Sequence, residues 1–428
     1  MSSMSAESST SNRALLAGGS LLAAAMFAAN AGNYLLNVAL GRWLTPAEFS
    51  DANLMVTLML LVTAIAISLQ LIAARFTGLD EVNGDTARTE ALARGLRRGG
   101  AWAGVVIGGV LIFGASWWVD FFNSASAWPF VVLGIGMPPY LAQAVGRGVL
   151  QGRLEFAPLA ATFLHEAAAR VVLGVALVAA GLGVLGATIA LTVSFVVTWL
   201  SVERALGWDL SAVVAEVRPE VISYAAPVAL LLLGQIIINN GDVLVSKQSL
   251  LPAEAGVYAA IALVGRAVFF LSWSVATTLF PAATQRREQG EDAHELLYAG
   301  IAAVAAIGVA AVVGARLLGG IVLGRVFGAE YAEVSSPLAW YAFATAVFAI
   351  ANLIVSHHLA LGELREAALM LGGAVLQTVL LIGARGSIDD LIRAQVVAMV
   401  VLAIIVSSSH VLRRRYEHVP LATQGLPT

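Results

Sequence analysis

Apolar runs of 19 to 27 residues alternate with short polar stretches along nearly the whole chain. They fall at 14–40, 52–76, 100–121, 128–150, 158–181, 183–201, 222–246, 256–282, 296–318, 335–360, 366–384 and 389–412. A helix needs about 20 mostly apolar residues to cross hydrocarbon. Runs this long predict helices rather than barrel strands, because every backbone polar group in lipid must be paired internally. The pattern therefore predicts an all-α polytopic membrane protein of twelve spans. The polar residues before 14 predict a disordered tail, 1–13, and the first run is too long for the h-region of a signal peptide.

Charge orients the spans. With the N-terminus inside, fourteen Arg fall on the cytoplasmic side and four Lys or Arg (Arg42, Lys247, Arg325, Arg385) outside. That asymmetry predicts two cytoplasmic termini. Trp43, Trp117, Trp118, Trp128 and Trp340 fall near expected outer ends, as an aromatic belt does. Composition agrees: 59% of residues are hydrophobic and only 12% charged, with no Cys. Disulfides, Cys-ligated zinc and thiol nucleophiles are thereby excluded. No basic arm suggests nucleic acid, and no P-loop, HExxH or GxSxG motif suggests an enzyme. No cofactor is expected. The longest loops, 77–99 and 202–221, read as charged connectors.

The chain also repeats. NYLLNVALGRWLTPAEFSDAN (33–53) aligns with NNGDVLVSKQSLLPAEAGVYA (239–259), bringing Pro46-Ala47-Glu48 over Pro252-Ala253-Glu254 at an offset of 206. LQGRLEFAPLA (150–160) aligns with ALGELREAALM (360–370) at an offset of 210. Six spans separate each pair, so both halves have the same orientation, a parallel repeat about the membrane normal. The expected organisation is a six-helix lobe at 14–204, a cytoplasmic linker at 205–221, a second six-helix lobe at 222–412 and a tail at 413–428, with a central cavity between lobes.

Three stretches carry a family resemblance: LGRWLTPAEFSDANLMVTL, GVLQGRLEFAPLA and NNGDVLVSKQSLLPAEAGVYAAIALVGRAVFFL. Each resembles the polysaccharide flippases of the multidrug/oligosaccharidyl-lipid/polysaccharide exporter superfamily. The resemblance implies two six-helix lobes around a cavity and outward movement of lipid-linked oligosaccharide across a bacterial inner membrane. Lipid II flippases of that superfamily usually carry further C-terminal spans, which moves the expectation toward other lipid-linked sugars.

Polar residues inside spans are costly and mark functional candidates. Asn30, Asn33 and Asn37 share one face of the first span. Gln235, Asn239, Asp242 and Ser246 share one face of the seventh, which the repeat makes its equivalent. Both faces are expected to line the cavity and contact sugar hydroxyls, with interhelical hydrogen bonding as the alternative. Asp242 and Arg266 read either as an ion pair or with Asp242 as a coupling site for Na+ or H+. Glu166 and Arg170, four apart, read either as a neutralised pair or as part of an anion site in which Arg170 and Arg266 hold pyrophosphate. Arg147 reads either as an end group reaching lipid phosphates or as a grip at the cavity entrance, His165 either as a hydrogen-bonded ring or as a proton relay, and His357 and His358 as end groups reaching lipid phosphates.

The functional expectation is alternating-access flipping of a polyprenyl-pyrophosphate oligosaccharide. Its partners are membrane lipids and, by the same logic, a polysaccharide polymerase and glycosyltransferases. The competing readings are a cation-coupled multidrug exporter of the same fold and a non-transporting scaffold for polysaccharide synthesis.

Overall fold

The structure, a computed structural model, describes residues 2–207, 219–272, 275, 294–332, 336–360 and 365–417. Residues 208–218 of the expected linker, most of 273–282 in the eighth expected span and 418–428 of the expected tail lie outside them. The described residues are helical, with no strand. Nine helical stretches among them are long and apolar enough to cross a membrane. One of the nine, Phe156–Leu206, is two helices joined by a turn, and Ala368–Gly383 is a shorter apolar helix. The chain forms two compact units, Met1–Leu233 with Leu251–Gly256 and Gly234–Leu250 with Val257–Thr428.

The first unit contains α1 (Ser2–Trp43), α2 (Pro46–Val82), α3 (Thr86–Phe113), α4 (Ala115–Phe122), α5 (Trp128–Gly152), α6 (Phe156–Leu177) and α7 (Gly183–Leu206). Helix α1 runs back through the polar residues expected as a tail, since no Gly or Pro interrupts it before Gly18. Segment 77–99 is likewise not a loop. Helices α2 and α3 extend through it and break only at Asn83–Asp85. Their polar ends are tied by ion pairs, Arg97–Glu203 at 2.9 Å and Arg153–Glu81 at 3.0 Å. Helices α6 and α7 form a hairpin that turns at Gly181 (φ 86°) and Gly183 (φ 51°), a left-handed backbone that favours glycine.

The repeated Pro-Ala-Glu has a local cause. Thr45 caps α2 by accepting from the Glu48 N–H, and Glu48 accepts the Thr45 N–H at 3.0 Å in return. Helix α8 (Pro219–Ser249) is followed by α9 (Pro252–Gly265), where Glu254 accepts the Leu251 N–H at 3.4 Å. Proline at the first position and glutamate at the third are helix-start chemistry.

Helix α5 is the spine of this unit and packs on α2, α3 and α7. Pro138 has no N–H, which releases the Gly134 carbonyl from its helical bond. That carbonyl lies where a Cβ on Gly108 of α3 would stand, only 2.3 Å from it. Gly104 meets the backbone of Met137 and Pro138 as closely. Gly108→Ala is therefore expected to force α3 and α5 apart and cost about 1–3 kcal/mol. Gly109→Ala, whose Cβ meets only the Phe113 ring at 3.8 Å, is the control and should hold or gain stability. Thermal unfolding of the two variants in detergent checks this, and equal melting temperatures would contradict it.

The second unit holds the later part of α8, most of α9, α10 (His294–Val326), α11 (Ala329–Ala332), α12 (Ser336–Ala360), α13 (Arg365–Gly383) and α14 (Ile388–Glu417). Helix α12 packs on α10 and α14. Gln377 of α13 donates to the Ile238 carbonyl of α8 and to Gln395 of α14, at 3.0 and 2.6 Å. His357 and His358 are buried, contrary to their expected place at lipid phosphates, and the His358 ring meets His410 at 3.0 Å.

Candidate functional site

Each unit buries a cluster of charged side chains. In the first, Glu166 on α6 takes one guanidinium at each carboxylate oxygen. Arg147 on α5 reaches Oε2 at 2.8 Å, and Arg170, one turn along α6, reaches Oε1 at 2.5 Å. Glycines place Arg147 here, since Gly146 and Gly148 bring α5 against α7 and α2. Arg147 also donates to the Thr162 hydroxyl and carbonyl, both at 3.0 Å, and lies 4.0 Å over the Phe163 ring. Arg170 donates to Ser194 of α7 at 3.3 Å and to the Asn33 side-chain oxygen of α1 at 3.2 Å. Arg147 and Arg170 are 7% and 8% exposed.

Two guanidiniums on one carboxylate leave a formal charge of +1. Arg147 uses Nε and Nη2 in these bonds and keeps Nη1 for a further acceptor. The i,i+4 pair expected from sequence is present, but Arg147 stands inside the cluster rather than at a mouth.

The second cluster is neutral. Asp242 on α8 is 0% exposed and takes three donors: Arg266 at 2.8 Å, Tyr258 of α9 at 3.1 Å and Tyr341 of α12 at 2.7 Å. Arg266 also donates to Tyr341 at 3.1 Å and to Asn240 at 3.2 Å. Gly265 makes this possible, because its bare Cα lies against the Tyr341 ring, 2.3 Å from where a Cβ would be. Arg266 lies at a one-residue turn between helical residues 265 and 267.

The asparagine faces are used unevenly. Asn33 joins the first cluster, while Asn37 bonds back to the Asn33 carbonyl and Asn30 is exposed. Asn239 bonds back to the Gln235 carbonyl, and the Gln235 amide donates to Asn352 of α12 at 2.8 Å. The asparagine that meets Arg266 is Asn240, one residue off the predicted face. His165 is exposed and pairs with Ser201 of α7 at 2.8 Å, away from the Glu166 oxygens that the arginines fill. Lys247, counted on the outer side of the membrane, is buried in the last turn of α8. Sequence reasoning missed Asn240, Tyr258, Tyr341, Thr162 and Ser194, of which only Asn240 carried a local signal.

All-helical units with charges buried between long apolar helices define a polytopic membrane protein. The sequence matches the family described as polysaccharide biosynthesis protein over residues 39–336, and the chain belongs to that family. No curated protein sequence matches it. Among solved structures it is similar to an inward-facing multidrug resistance MATE family transporter of the MOP superfamily, with TM-score 0.73 and 16% identity over 89% of this chain and 95% of that one. It is similar also to the lipid II flippase MurJ in an inward closed conformation, with TM-score 0.72 and 11% identity over 91% of this chain and 87% of that one. A third, a MOP superfamily transporter from Pyrococcus furiosus, gives TM-score 0.60 and 16% identity over 92% of this chain and 95% of that one. At these identities the likeness is one of fold.

Proposed function

We propose that this protein moves a lipid-linked oligosaccharide, carried on polyprenyl pyrophosphate, across the bacterial inner membrane by alternating access. The observation that carries this reading is the Arg147–Glu166–Arg170 cluster, cationic by one charge and leaving the Arg147 Nη1 for a further acceptor. A planar fork of N–H donors suits pyrophosphate oxygens. The family supports the pathway, polysaccharide biosynthesis. Sugar hydroxyls cannot cross hydrocarbon unaided, since each costs several kcal/mol without a partner. A polar path through the protein removes that barrier while the lipid tail stays in the bilayer.

The proposal includes two six-helix lobes at 14–204 and 222–412, both termini cytoplasmic, and no covalent chemistry. Within it the second cluster serves coupling. Uptake of Na+ or H+ at Asp242 requires Arg266 to leave the carboxylate, which links ion binding to the packing of α8, α9 and α12. Glycosyltransferases and a polymerase are its natural neighbours, as makers and users of the substrate.

Reconstitution tests this directly. Proteoliposomes carrying the wild type should speed the crossing of a fluorescent polyprenyl-pyrophosphate oligosaccharide. Arg147→Gln and Arg170→Gln should each lower the rate at least about tenfold, the loss of one charge-assisted contact of about 1.5 kcal/mol or more. Either change leaves Glu166 with one arginine, so both variants should fold. A wild type that moves no labelled lipid, or variants that move it at the wild-type rate, would end the proposal. Export of cationic dyes instead would favour the drug-exporter reading.

A further inference from the structure

Gln143 lies on α5, 1% exposed, and neither its Nε2 nor its Oε1 has a hydrogen-bond partner among the described residues. A buried primary amide with every donor and acceptor idle is destabilising. Such groups are few in folded proteins, and each has a reason.

Its position supplies one. Tyr140 precedes it by three residues and Arg147 follows it by four, so the three share one face of α5. That face fronts α7. A Cβ on Gly136 would meet Phe195 and Thr192, and one on Gly146 would meet Val202, which places Gln143 between these approaches. The Phe195 ring packs on Tyr140 with centroids 4.4 Å apart and lies 5.7 Å beneath the Arg170 guanidinium. The Tyr140 hydroxyl is 2.6 Å from Thr63 of α2. Along α5 the wall of the arginine cluster therefore runs from guanidinium to amide to hydroxyl, with about 6 Å of rise from Arg147 to Gln143.

We infer that Gln143 reads the sugar attached to the pyrophosphate. This rests on the cluster being the headgroup site. An uncharged group that both donates and accepts, one turn from the cationic centre, matches the hydroxyls or acetamido group of a sugar ring, whereas a diphosphate held at the arginines has no donor for the Gln143 carbonyl. Because the amide is enclosed here, uptake of the headgroup includes a parting of α5 and α7 at this level.

The test compares two probes on the full-length protein in nanodiscs: polyprenyl pyrophosphate and polyprenyl pyrophosphate bearing one N-acetylglucosamine. The wild type should bind the glycosylated probe more tightly. Gln143→Leu should weaken that probe at least tenfold, leave the bare one unchanged and hold or raise the melting temperature, since it removes an idle buried amide. Gln143→Met serves the same purpose should the leucine variant fail to fold. Equal wild-type affinity for both probes, or variants that bind both as the wild type does, would overturn the sugar-reading role while leaving the headgroup site standing. A uniform loss on both probes would make Gln143 structural and overturn it too. A wild type that binds neither probe would remove the headgroup site itself.

Discussion

Asp242→Ala is expected to destabilise the second unit by about 3–5 kcal/mol. The carboxylate is fully enclosed and takes Arg266, Tyr258 and Tyr341. Its removal leaves a guanidinium among apolar helices with Tyr341 and Asn240 as its remaining acceptors. Two tyrosine hydroxyls lose their acceptor in the same step. Breaking one side of a buried pair is worse than removing both. Asp242→Leu combined with Arg266→Met should therefore recover much of the stability lost in Asp242→Ala. Thermal unfolding in detergent reads both. A single variant that melts with the wild type would show that the pair contributes nothing. Loss of coupled transport in the stable double variant would tie the pair to function as well.

The second large effect is an inequality within the first cluster. Glu166→Ala leaves two guanidiniums facing each other with no carboxylate, a formal charge of +2. Arg147→Ala leaves the Glu166–Arg170 pair, a formal charge of zero. The loss of the carboxylate is expected to cost about 3–5 kcal/mol, because it strands buried charge. Loss of Arg147 should cost less, since Thr162 still bonds its own helix through the Leu159 carbonyl at 2.7 Å. Activity should run the other way in part: Arg147→Ala folds and fails to move substrate. Melting temperatures ordered Glu166→Ala below Arg147→Ala below wild type would support the charge assignment, and the reverse order of the two variants would refute it.

Part of this site was legible in the chain. Glu166 and Arg170 are four apart and had to meet on one helix face. Asp242 and Arg266 belong to consecutive apolar runs and were a natural pair. Arg147 lies near a helix end, which predicts a group reaching outward, whereas Gly146 and Gly148 draw that turn of α5 deep between neighbours. Tyr341 lies 99 residues from Asp242, and nothing near it marks it as a partner. The helical register also shifted one choice. Asn239 satisfies its amide on its own helix, and Asn240 takes Arg266. The same limit hid the close passage of α3 over α5, which depends on a carbonyl freed by Pro138 meeting a glycine on another helix.

Residue order alone determined the membrane class, the helical character and the positions where most helices lie. Those follow from hydrophobicity summed over about 20 neighbours, a quantity local to the chain. The helix starts at Pro46 and Pro252 are local in the same sense. Only the tertiary structure decided which charges are neutral and which are left over. Two arginines share Glu166 and one arginine closes on Asp242, and that difference arises where side chains of separate helices are brought within 3 Å of one carboxylate. Pairing at that range depends on packing, and packing is set by small residues whose role appears only when the facing helix is in place.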